Sequence, residues 1–379
     1  MLRTLKIRLY PTKEQEEIMR KHIGGCRFIW NYMLAREIEK YNSGEKVVIS
    51  AYEMMRVLAN LKKEEQYSWL YEISNASCQS ICRDLEKAYK RFFNGQNNFP
   101  KFKTLKKSKK SFPVRAERLW FEAKYAHIER LGKVRYKTDY NLPKGRDYKF
   151  GESRITYFEG KWILTVVIER ENQAINLTDK KMGIDLGVKK LAVVAFGEEA
   201  FYFGNINKSK KIRDLNKKIK FISRKISRKY RMNKQGNIYI KTKNIEKEEK
   251  KLRKLYRRIK NIRENYIHQI TRKLVNMLPY EVIMEDLNVK GLLKNKNLSR
   301  AISEQCFYKF AYQMEYKCEE MGINFTYVDR FFPSSKTCSN CGCIKTNLRL
   351  SDREYYCEHC GMKKDRDYNA AINLMRYKV

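Results

Sequence analysis

Histidine and long apolar segments are scarce in this sequence. The 379 residues include four histidines, so nucleases and hydrolases whose catalysis depends on histidine are poorly supported. Nowhere do about 18 apolar residues follow one another, and the first residues, MLRTLKIRLYPT, lack the apolar core of a signal peptide. The sequence therefore predicts neither secretion nor membrane insertion and indicates a cytoplasmic protein.

Acidic residues are also few compared with basic ones. The 82 Lys and Arg against 43 Asp and Glu give a formal net charge of +39. Because 13% of the residues are aromatic, the chain is too rich in rings for a disordered basic tail. A folded protein that binds a polyanion is the first interpretation. A ribosomal-type or membrane-surface protein is the alternative that charge alone leaves open.

The first half of the chain alternates between strand and helix patterns. Residues 5–10, LKIRLY, alternate apolar and polar side chains as a half-buried strand does. Thr12 and Gln15 then have the spacing of a helix capping box, and apolar residues recur at helical spacing. From 113 to 171 the period returns to two. We therefore predict a helical unit over 11–99, inserted in a β domain that includes the first strand.

Two segments concentrate positive charge. Residues 99–112, FPKFKTLKKSKKSF, interleave lysines with phenylalanines, which favours contact with a nucleic-acid backbone over a plain charged linker. Between 208 and 263 there are 24 Lys or Arg and four acids, along two apolar helical stripes. A helical hairpin that binds phosphates fits this better than a merely solvated face, whose charges are usually mixed. The lysines predicted to contact nucleic acid are Lys101, Lys103, Lys106 and Lys107.

The second half has the pattern of an α/β sheet. MGIDLGVKKLAVVAF, residues 182–196, indicates two strands joined by a glycine-containing turn. YEVIMEDLN at 280–288 and INFTYVD at 323–329 are short apolar strands on either side of a helical stretch. Strand, helix and strand in this order predict a parallel pair.

The cysteines near the end predict a structural zinc site. Two CxxC pairs, CSNC and CEHC, are separated by 15 residues and each is followed by a glycine. Four thiolates complete a tetrahedral zinc shell, and a complete shell leaves no position for water or substrate. Cys343 and His359 are possible substitute ligands, and the alternatives are a redox CxxC pair or cysteines that bind no metal. The predicted Zn²⁺ ligands are Cys338, Cys341, Cys357 and Cys360.

Three acids suggest a second metal site. Asp185 and Glu285 close apolar strands, where a carboxylate is costly to bury without a cation. Asp367, at the start of the last helix, is the natural third. Carboxylate oxygens suit Mg²⁺ or Mn²⁺ better than zinc, and two such ions could support phosphodiester hydrolysis. The prediction requires the three carboxylates to meet within a shared coordination sphere.

Several motifs in order resemble the TnpB family of transposon-encoded RNA-guided nucleases, which are related to the miniature type V CRISPR effectors. GIDLGVKKLAVV, IMEDLNVKGL, FFPSSKTCSNCG and CEHCGMKKDRDYNAAINL carry the resemblance, and YPTKEQEEIMRKHIGGCRFIWN, LEKAYKRFF and FPKFK extend it to nearly the whole chain. The resemblance implies a RuvC-like, RNase H-type nuclease domain in which Asp185, Glu285 and Asp367 are catalytic and hold the metal. Asp367, rather than Asp365, matches the acid of the family. Glu304 stands where the family commonly has Asp, and we leave it out of the site.

The resemblance also implies a multidomain α+β fold with the following division. A β-barrel-like wedge domain would comprise 1–10 and 100–178, with a helical recognition domain over 11–99. The nuclease domain would comprise 179–336 and 363–379, with a zinc ribbon over 337–362 inserted in it.

The implied partners are a guide RNA, with one protein per RNA, and a target double-stranded DNA carrying a short adjacent motif. Base pairing would read the target sequence, while the protein reads backbone shape and the adjacent motif. Such a protein would work in the prokaryotic cytosol or nucleoid. The candidate readers of the motif are, by loose analogy, Tyr52, Ser77, Gln79 and Ser80.

The leading function is therefore RNA-guided cleavage of double-stranded DNA. A guide-directed repressor that binds without cutting is one alternative, although no acid of the set is missing. A small CRISPR effector with a CRISPR-derived guide is another. A transposase that joins strands itself is a weaker one, since nothing outside the acid set suggests handling of paired transposon ends.

Overall fold

The computed structural model describes residues 2–44, 49–169, 175–349 and 352–377. The chain divides into two compact units, residues 1–171 and 172–379, which are taken separately below. Within the described ranges, no helix combines the length and the apolar character needed to cross a membrane.

The first unit combines an antiparallel sheet with three long helices. The first strand is central, since it pairs with the last strand of the unit on one side and with a strand of the 125–137 hairpin on the other. Leu5, Ile7 and Leu9 alternate inward and are almost fully buried, as the sequence pattern predicts. The elements are β1 (Leu2–Tyr10), α1 (Lys13–Asn42), α2 (Ala51–Leu61), α3 (Asn75–Phe93), β2 (Ser111–Val114), β3 (Trp120–Phe121), β4 (Tyr125–Ile128), β5 (Gly132–Lys137), β6 (Ser153–Phe158) and β7 (Lys161–Glu169).

The predicted capping box at the start of α1 is present. Thr12 Oγ1 accepts from the Gln15 backbone N–H at 3.3 Å, and Gln15 Oε1 accepts from the Thr12 N–H at 3.1 Å. The Gln15 amide also donates to the carbonyls of Leu131 and Lys133 beside β5. The cap therefore fixes α1 to the sheet, and the helices and strands of this unit share one hydrophobic core.

The second unit contains a mixed sheet, a long helical hairpin and a cysteine-rich segment. Among the described residues, its five-stranded sheet has the order β10-β9-β8-β13-β14. Strands β13 and β14 are parallel, as predicted, and β8 is also parallel to β13. The elements are β8 (Lys181–Leu186), β9 (Lys190–Phe196), β10 (Glu199–Gly204), α4 (Lys210–Met232), β11 (Lys234–Gln235), β12 (Ile238–Tyr239), α5 (Lys243–Val275), β13 (Glu281–Glu285), α6 (Val289–Leu292), α7 (Ser299–Gln305), α8 (Phe307–Met321), β14 (Asn324–Val328), β15 (Glu354–Tyr356), β16 (Lys363–Asp365) and α9 (Arg366–Met375).

The two faces of this sheet bury different helices. On one face, strand residues such as Ile184 and Met284 pack with α5 and α8. On the other, Val193, Ala195 and Ile283 pack with α9. Successive strand side chains point to opposite faces, so odd-numbered positions of β8 and β13 face α9. The side chains of Asp185 and Glu285, at odd-numbered positions, therefore lie on the face of the sheet that α9 covers.

The basic segment 208–263 forms the predicted helical hairpin. Ile212, Leu215 and Ile219 of α4 pack against Ile259 of α5. The predicted polar turn contains the small β11–β12 hairpin, with Gly236 at φ 57°.

Candidate metal centres

Asp185 and Glu285 lie side by side at the ends of neighbouring parallel strands. The register pairs Ile283 with Gly183 and Met284 with Ile184, so the next position on each strand is one of the two acids. Neighbouring strands run about 4.8 Å apart. Both side chains are half-buried and belong to the face that α9 covers.

Gly183 brings Asp367 to the same place. A Cβ at this glycine would overlap the Ala371 carbonyl oxygen and the Met375 nitrogen, so only glycine lets α9 pack this closely on β8. Asp367 lies in the first turn of α9, where the helix dipole favours a negative charge.

Asp365 has a different role from Asp367. Its side chain caps α9 by accepting from the Tyr368 N–H at 3.0 Å. It also pairs with Lys190 Nζ at 2.9 Å. Asp365 is thus engaged in holding the helix start, and this supports the choice of Asp367 as the third acid.

The surroundings of the acids disfavour their charged forms. Burial raises the pKa of Asp185 well above its usual range, and the nearby carboxylates of Glu285 and Asp367 raise it further, against the opposing charge of Arg366. Burial also raises the pKa of Glu285, while a hydrogen bond from the Ser334 hydroxyl lowers it. A divalent cation would offset the clustered negative charge, and hard carboxylate oxygens are the donors that Mg²⁺ and Mn²⁺ prefer.

The three carboxylates do not meet in a single tight shell. Within the described parts of the chain, cysteines and a histidine form the groups of three or more candidate ligands whose atoms all lie within 4.8 Å of one another. Asp185, Glu285 and Asp367 do not form such a group. The expected shared coordination sphere is therefore not observed. Two ions about 4 Å apart with ligands at about 2.1 Å would tolerate wider spacing, so the assignment of these acids as catalytic stays a prediction.

The four predicted zinc cysteines converge at the other centre. Their Sγ atoms all lie within 4.8 Å of one another. Two of the separations are 3.6 Å between Cys338 and Cys360 and 3.5 Å between Cys341 and Cys357. Tetrahedral Zn–S bonds of about 2.3 Å imply sulfur–sulfur distances of about 3.8 Å, so the donor set fits a structural Zn²⁺ ion.

Each CxxC pair forms the same tight turn. The Gly342 N–H bonds to the Cys338 carbonyl and the Gly361 N–H bonds to the Cys357 carbonyl, both at 2.9 Å. The two glycines have φ of 77° and 70°, a region that favours glycine. The Asn340 side-chain amide lowers the pKa of the Cys360 thiol, which promotes the thiolate that zinc requires.

A smaller group offers an alternative set of ligands. Cys341, Cys343 and His359 also place their donor atoms within 4.8 Å of one another. This group supplies three ligands instead of four, and it shares Cys341 with the larger set. The four-cysteine set is therefore the better match to a closed structural site.

Two buried asparagines connect the first CxxC turn to α9. Asn369 accepts from the Ser339 N–H at 2.9 Å and donates to the Thr337 carbonyl at 2.7 Å. Asn373 donates to the carbonyls of Thr337 and Ser334, both at 2.7 Å. These two asparagines were not predicted as functional residues, although their spacing of four in NAAIN, among apolar residues, indicates buried amides that need partners.

The predicted nucleic-acid contacts differ in accessibility. Tyr52 is 80% exposed, Gln79 is exposed and Ser80 is half-buried. Ser77 is buried, and its hydroxyl donates to the Pro113 carbonyl at 2.7 Å, so it is not on the surface. Lys101, Lys106 and Lys107 are exposed, whereas Lys103 is half-buried.

The helical hairpin retains most of its charge. Glu248 pairs with Lys225 and Lys251, and Glu249 pairs with Lys241. Even if each of the four acids between 208 and 263 offset one cation, twenty of the 24 cations would remain. This surface is suited to phosphates.

Three family models match parts of the chain. One described as "Probable transposase" matches residues 165–296, and one described as "Cas12f1-like, TNB domain" matches 307–374. A third, described as "Helix-turn-helix domain", matches 1–46. In this structure the described part of that last range consists of β1 and the long helix α1 rather than two short helices.

Relatives and a solved structure match nearly the full length. A "Putative RNA-guided DNA endonuclease" from Streptomyces pristinaespiralis is 29% identical over 98% of this chain and 88% of its own length. "TnpB-like protein L770" of Acanthamoeba polyphaga mimivirus is 25% identical over 98% of this chain and 72% of its own. A cryo-EM structure of a Cas12f1-sgRNA-target DNA complex contains a chain with a TM-score of 0.62 and 16% identity, and 99% of each chain is covered. This likeness confirms the predicted multidomain α+β fold class.

Proposed function

We propose that this chain, which belongs to the TnpB family, is an RNA-guided endonuclease that cleaves double-stranded DNA. The observation that supports this most directly is the set of acids at the strand ends of the mixed sheet, with Asp185 and Glu285 in register and Asp367 held against the same face by Gly183. A surplus of positive charge on the adjoining hairpin supplies the surface for nucleic acid.

Asp185, Glu285 and Asp367 would hold Mg²⁺ or Mn²⁺. Bound there, the ions would activate a water and stabilise the leaving oxygen of a phosphodiester. The protein's own contribution is to hold the carboxylates in place. The Ser334 hydroxyl fixes one oxygen of Glu285, and the cap made by Asp365 fixes the first turn of α9 that carries Asp367.

The four-cysteine site would hold Zn²⁺ with no part in the chemistry. Its closed shell leaves no open position, and the asparagines of α9 tie it to the helix that carries Asp367. We infer that zinc orders the segment around 334–339 and thereby supports the acid site.

The partners would be a guide RNA, bound by one protein, and a target DNA with a short adjacent motif. Tyr52 and Gln79, both exposed, remain candidates to read that motif, together with Ser80. Ser77 would have to leave its hydrogen bond to take part. The division into wedge, recognition, nuclease and ribbon domains, with the predicted boundaries, is part of this proposal, as is work in the prokaryotic cytosol or nucleoid.

The deciding experiment uses the protein purified with its co-expressed RNA. A DNA duplex matching the guide is incubated with Mg²⁺, and both strands are analysed for cuts. We expect Asp185→Asn to reduce cutting at least about a hundredfold, because loss of a metal ligand removes several kcal/mol of stabilisation. Asp139→Asn, which changes an exposed acid of the first unit, is the matched control and should cut normally.

The same assay separates the alternatives. A wild-type protein that binds the duplex without cutting would be a repressor, and joined strands in place of cut ones would indicate a transposase. Unaltered cutting by Asp185→Asn would refute the assignment of the acids. Sequencing the co-purified RNA distinguishes a transposon-end guide from a CRISPR-derived one.

A further inference from the structure

A small pocket with many cations lies in the first unit. Its volume is about 190 Å³, and it is formed by α1, α3, β6 and the segment 103–111. No lining residue that the structure describes is acidic, while three hydroxyls, of Thr104, Ser108 and Ser111, add hydrogen-bonding groups. The cationic lining residues are Arg27, Lys103, Lys109, Lys110 and Arg154.

Side chains of α1 hold the basic segment in place. Asn31 accepts from the Lys103 N–H at 2.7 Å and donates to the Lys103 carbonyl at 2.9 Å. The Trp30 indole donates to the Lys101 carbonyl at 3.0 Å. The next turn is closed by the Ser108 hydroxyl, which accepts from the Thr104 N–H at 2.8 Å. The pocket wall is therefore ordered before any ligand binds, which lowers the entropy cost of binding.

The charge at the pocket is not balanced locally. Of the five cationic lining residues, Arg154 is already paired with Asp84 at 2.6 Å and with Glu152 at 3.9 Å. Lys103 Nζ lies 3.5 Å from the centre of the Trp30 ring, a contact that orients an ammonium group but does not neutralise it. An anion in the pocket would supply the missing charge.

We propose that this pocket binds a single backbone phosphate of a nucleic acid, with Lys103 as one of its direct ligands. The inference rests on the proposed function, since it presumes that the chain binds RNA or DNA. Pockets for drug-sized ligands measure about 300–1,000 Å³, so this smaller volume suits one phosphate group and not an entire nucleotide. Phe102 and Leu105, 52% and 61% exposed on the same segment, would lie beside the bound strand.

The protonation of Lys103 provides a specific signature. Burial lowers the pKa of Lys103 to about 8, opposed by the charge of Asp84 and the Cys26 thiol and reinforced by Arg154. Lys103 is therefore charged at about pH 7 and mostly neutral at about pH 9. The affinity of the pocket for an anion should therefore fall over this interval as Lys103 loses its charge.

The test measures binding by the full-length protein without Mg²⁺, so that nothing is cut. The probes are a short single-stranded RNA and a short DNA duplex, each titrated at several salt concentrations and at about pH 7 and pH 9. Lys103→Met should weaken binding about tenfold or more at the lower pH. It should lower the slope of log affinity against log salt by about 0.7 for RNA or about 0.9 for duplex DNA. It should also remove the pH step that wild type shows.

Control variants distinguish an effect of the pocket on binding from an effect of overall charge and from misfolding. Lys63→Met removes an exposed lysine outside the pocket, and it should keep the pH step. Arg27→Met removes a second pocket cation, and should lower the salt slope while the pH step persists. Thermal unfolding of each variant shows whether it is folded. If Lys103→Met does not fold, the pH dependence of binding by the wild-type protein tests the proposal.

Each outcome has a defined meaning. An effect with RNA alone assigns the phosphate to the guide, and an effect with the duplex alone assigns it to the target DNA. The pocket proposal is overturned if wild type binds both probes without a pH step, or if Lys103→Met matches wild type with both. A wild-type protein that binds neither probe would instead overturn the proposed function itself.

Discussion

The Ser334 hydroxyl donates a hydrogen bond to Oε1 of Glu285, a residue 49 positions earlier in the chain. Ser334 stands four residues before Cys338, the first predicted zinc ligand, and its carbonyl accepts from Asn373 of α9. One short segment therefore contacts an acid of the predicted Mg²⁺ site and the helix that carries another. A change in the cysteine-rich segment can therefore alter the position of Glu285 and of the helix that carries Asp367.

Replacing Ser334 by alanine should weaken binding of the catalytic metal. The oxygen of Glu285 would lose the partner that orients it, and such outer partners are worth about 10- to 100-fold in metal affinity. Titration with Mn²⁺, followed by electron paramagnetic resonance, measures the affinity directly. Ser334→Thr keeps the hydroxyl and should restore most of it, whereas equal affinity for all three proteins would show that the contact has no positioning role.

The asparagines of α9 make a separate prediction about stability. Asn373→Ala leaves the Ser334 carbonyl without its buried donor and removes one of the two amide donors to the Thr337 carbonyl, which keeps Asn369. We therefore expect the free energy of unfolding to fall by about 1–3 kcal/mol. Urea unfolding measures the change. Asn244→Ala, at an exposed position in the first turn of α5, should alter stability by less than about 0.5 kcal/mol. A similar loss in both variants would argue against a special role for Asn373.

The local parts of this molecule were predictable from sequence. Thr12 and Gln15, three residues apart, indicate the helix cap, and the CxxC spacing identifies the four cysteines that cluster in the structure. Apolar strands that end in Asp185 and Glu285 were also recognisable. In each case the pattern depends on residues close together in the chain.

Contacts between residues far apart in the chain could not be predicted from the sequence in the same way. The register that aligns Glu285 with Asp185 across 100 residues, and the close approach of α9 at Gly183, depend on tertiary packing. The edge strand β10 was missed because its half-exposed aromatic residues lack a clear alternation. Ser77, in contrast, could have been placed, since it precedes Ile81 and Leu85 by one and two helical steps of four and so belongs to the buried stripe of α3.

The ligands of the zinc site can be identified by single substitutions. Cys360→Ser should abolish stoichiometric zinc, measured by elemental analysis of the purified protein, and should destabilise the ribbon because structural zinc contributes folding energy. Cys343→Ser is the matched comparison and should retain zinc, since Cys343 belongs only to the smaller alternative group. The reverse result would show that Cys341, Cys343 and His359 hold the metal.

Asp185 should reduce the stability of the metal-free protein while serving the metal site. Its pKa in the folded state is raised above the value of about 3.9 in the unfolded chain. Between these two pKa values the folded state binds the extra proton, so the free energy of unfolding rises as the pH falls through that window and falls as the pH rises. At neutral pH Asp185 therefore costs stability, because the folded surroundings disfavour the negative charge that this carboxyl carries in the unfolded chain.

Asp185→Asn should then raise the unfolding free energy at neutral pH by about 1–3 kcal/mol in the absence of divalent ions. The difference from wild type should disappear toward pH 4, near the unfolded pKa, because the wild-type carboxyl is then protonated. Adding Mg²⁺ should stabilise wild type in proportion to its occupancy and leave Asp185→Asn nearly unchanged. Thermal unfolding with and without Mg²⁺ measures both effects, and Asp139→Asn should respond to the ion as wild type does. Equal stabilisation of Asp185→Asn by Mg²⁺ would mean that the ion binds elsewhere.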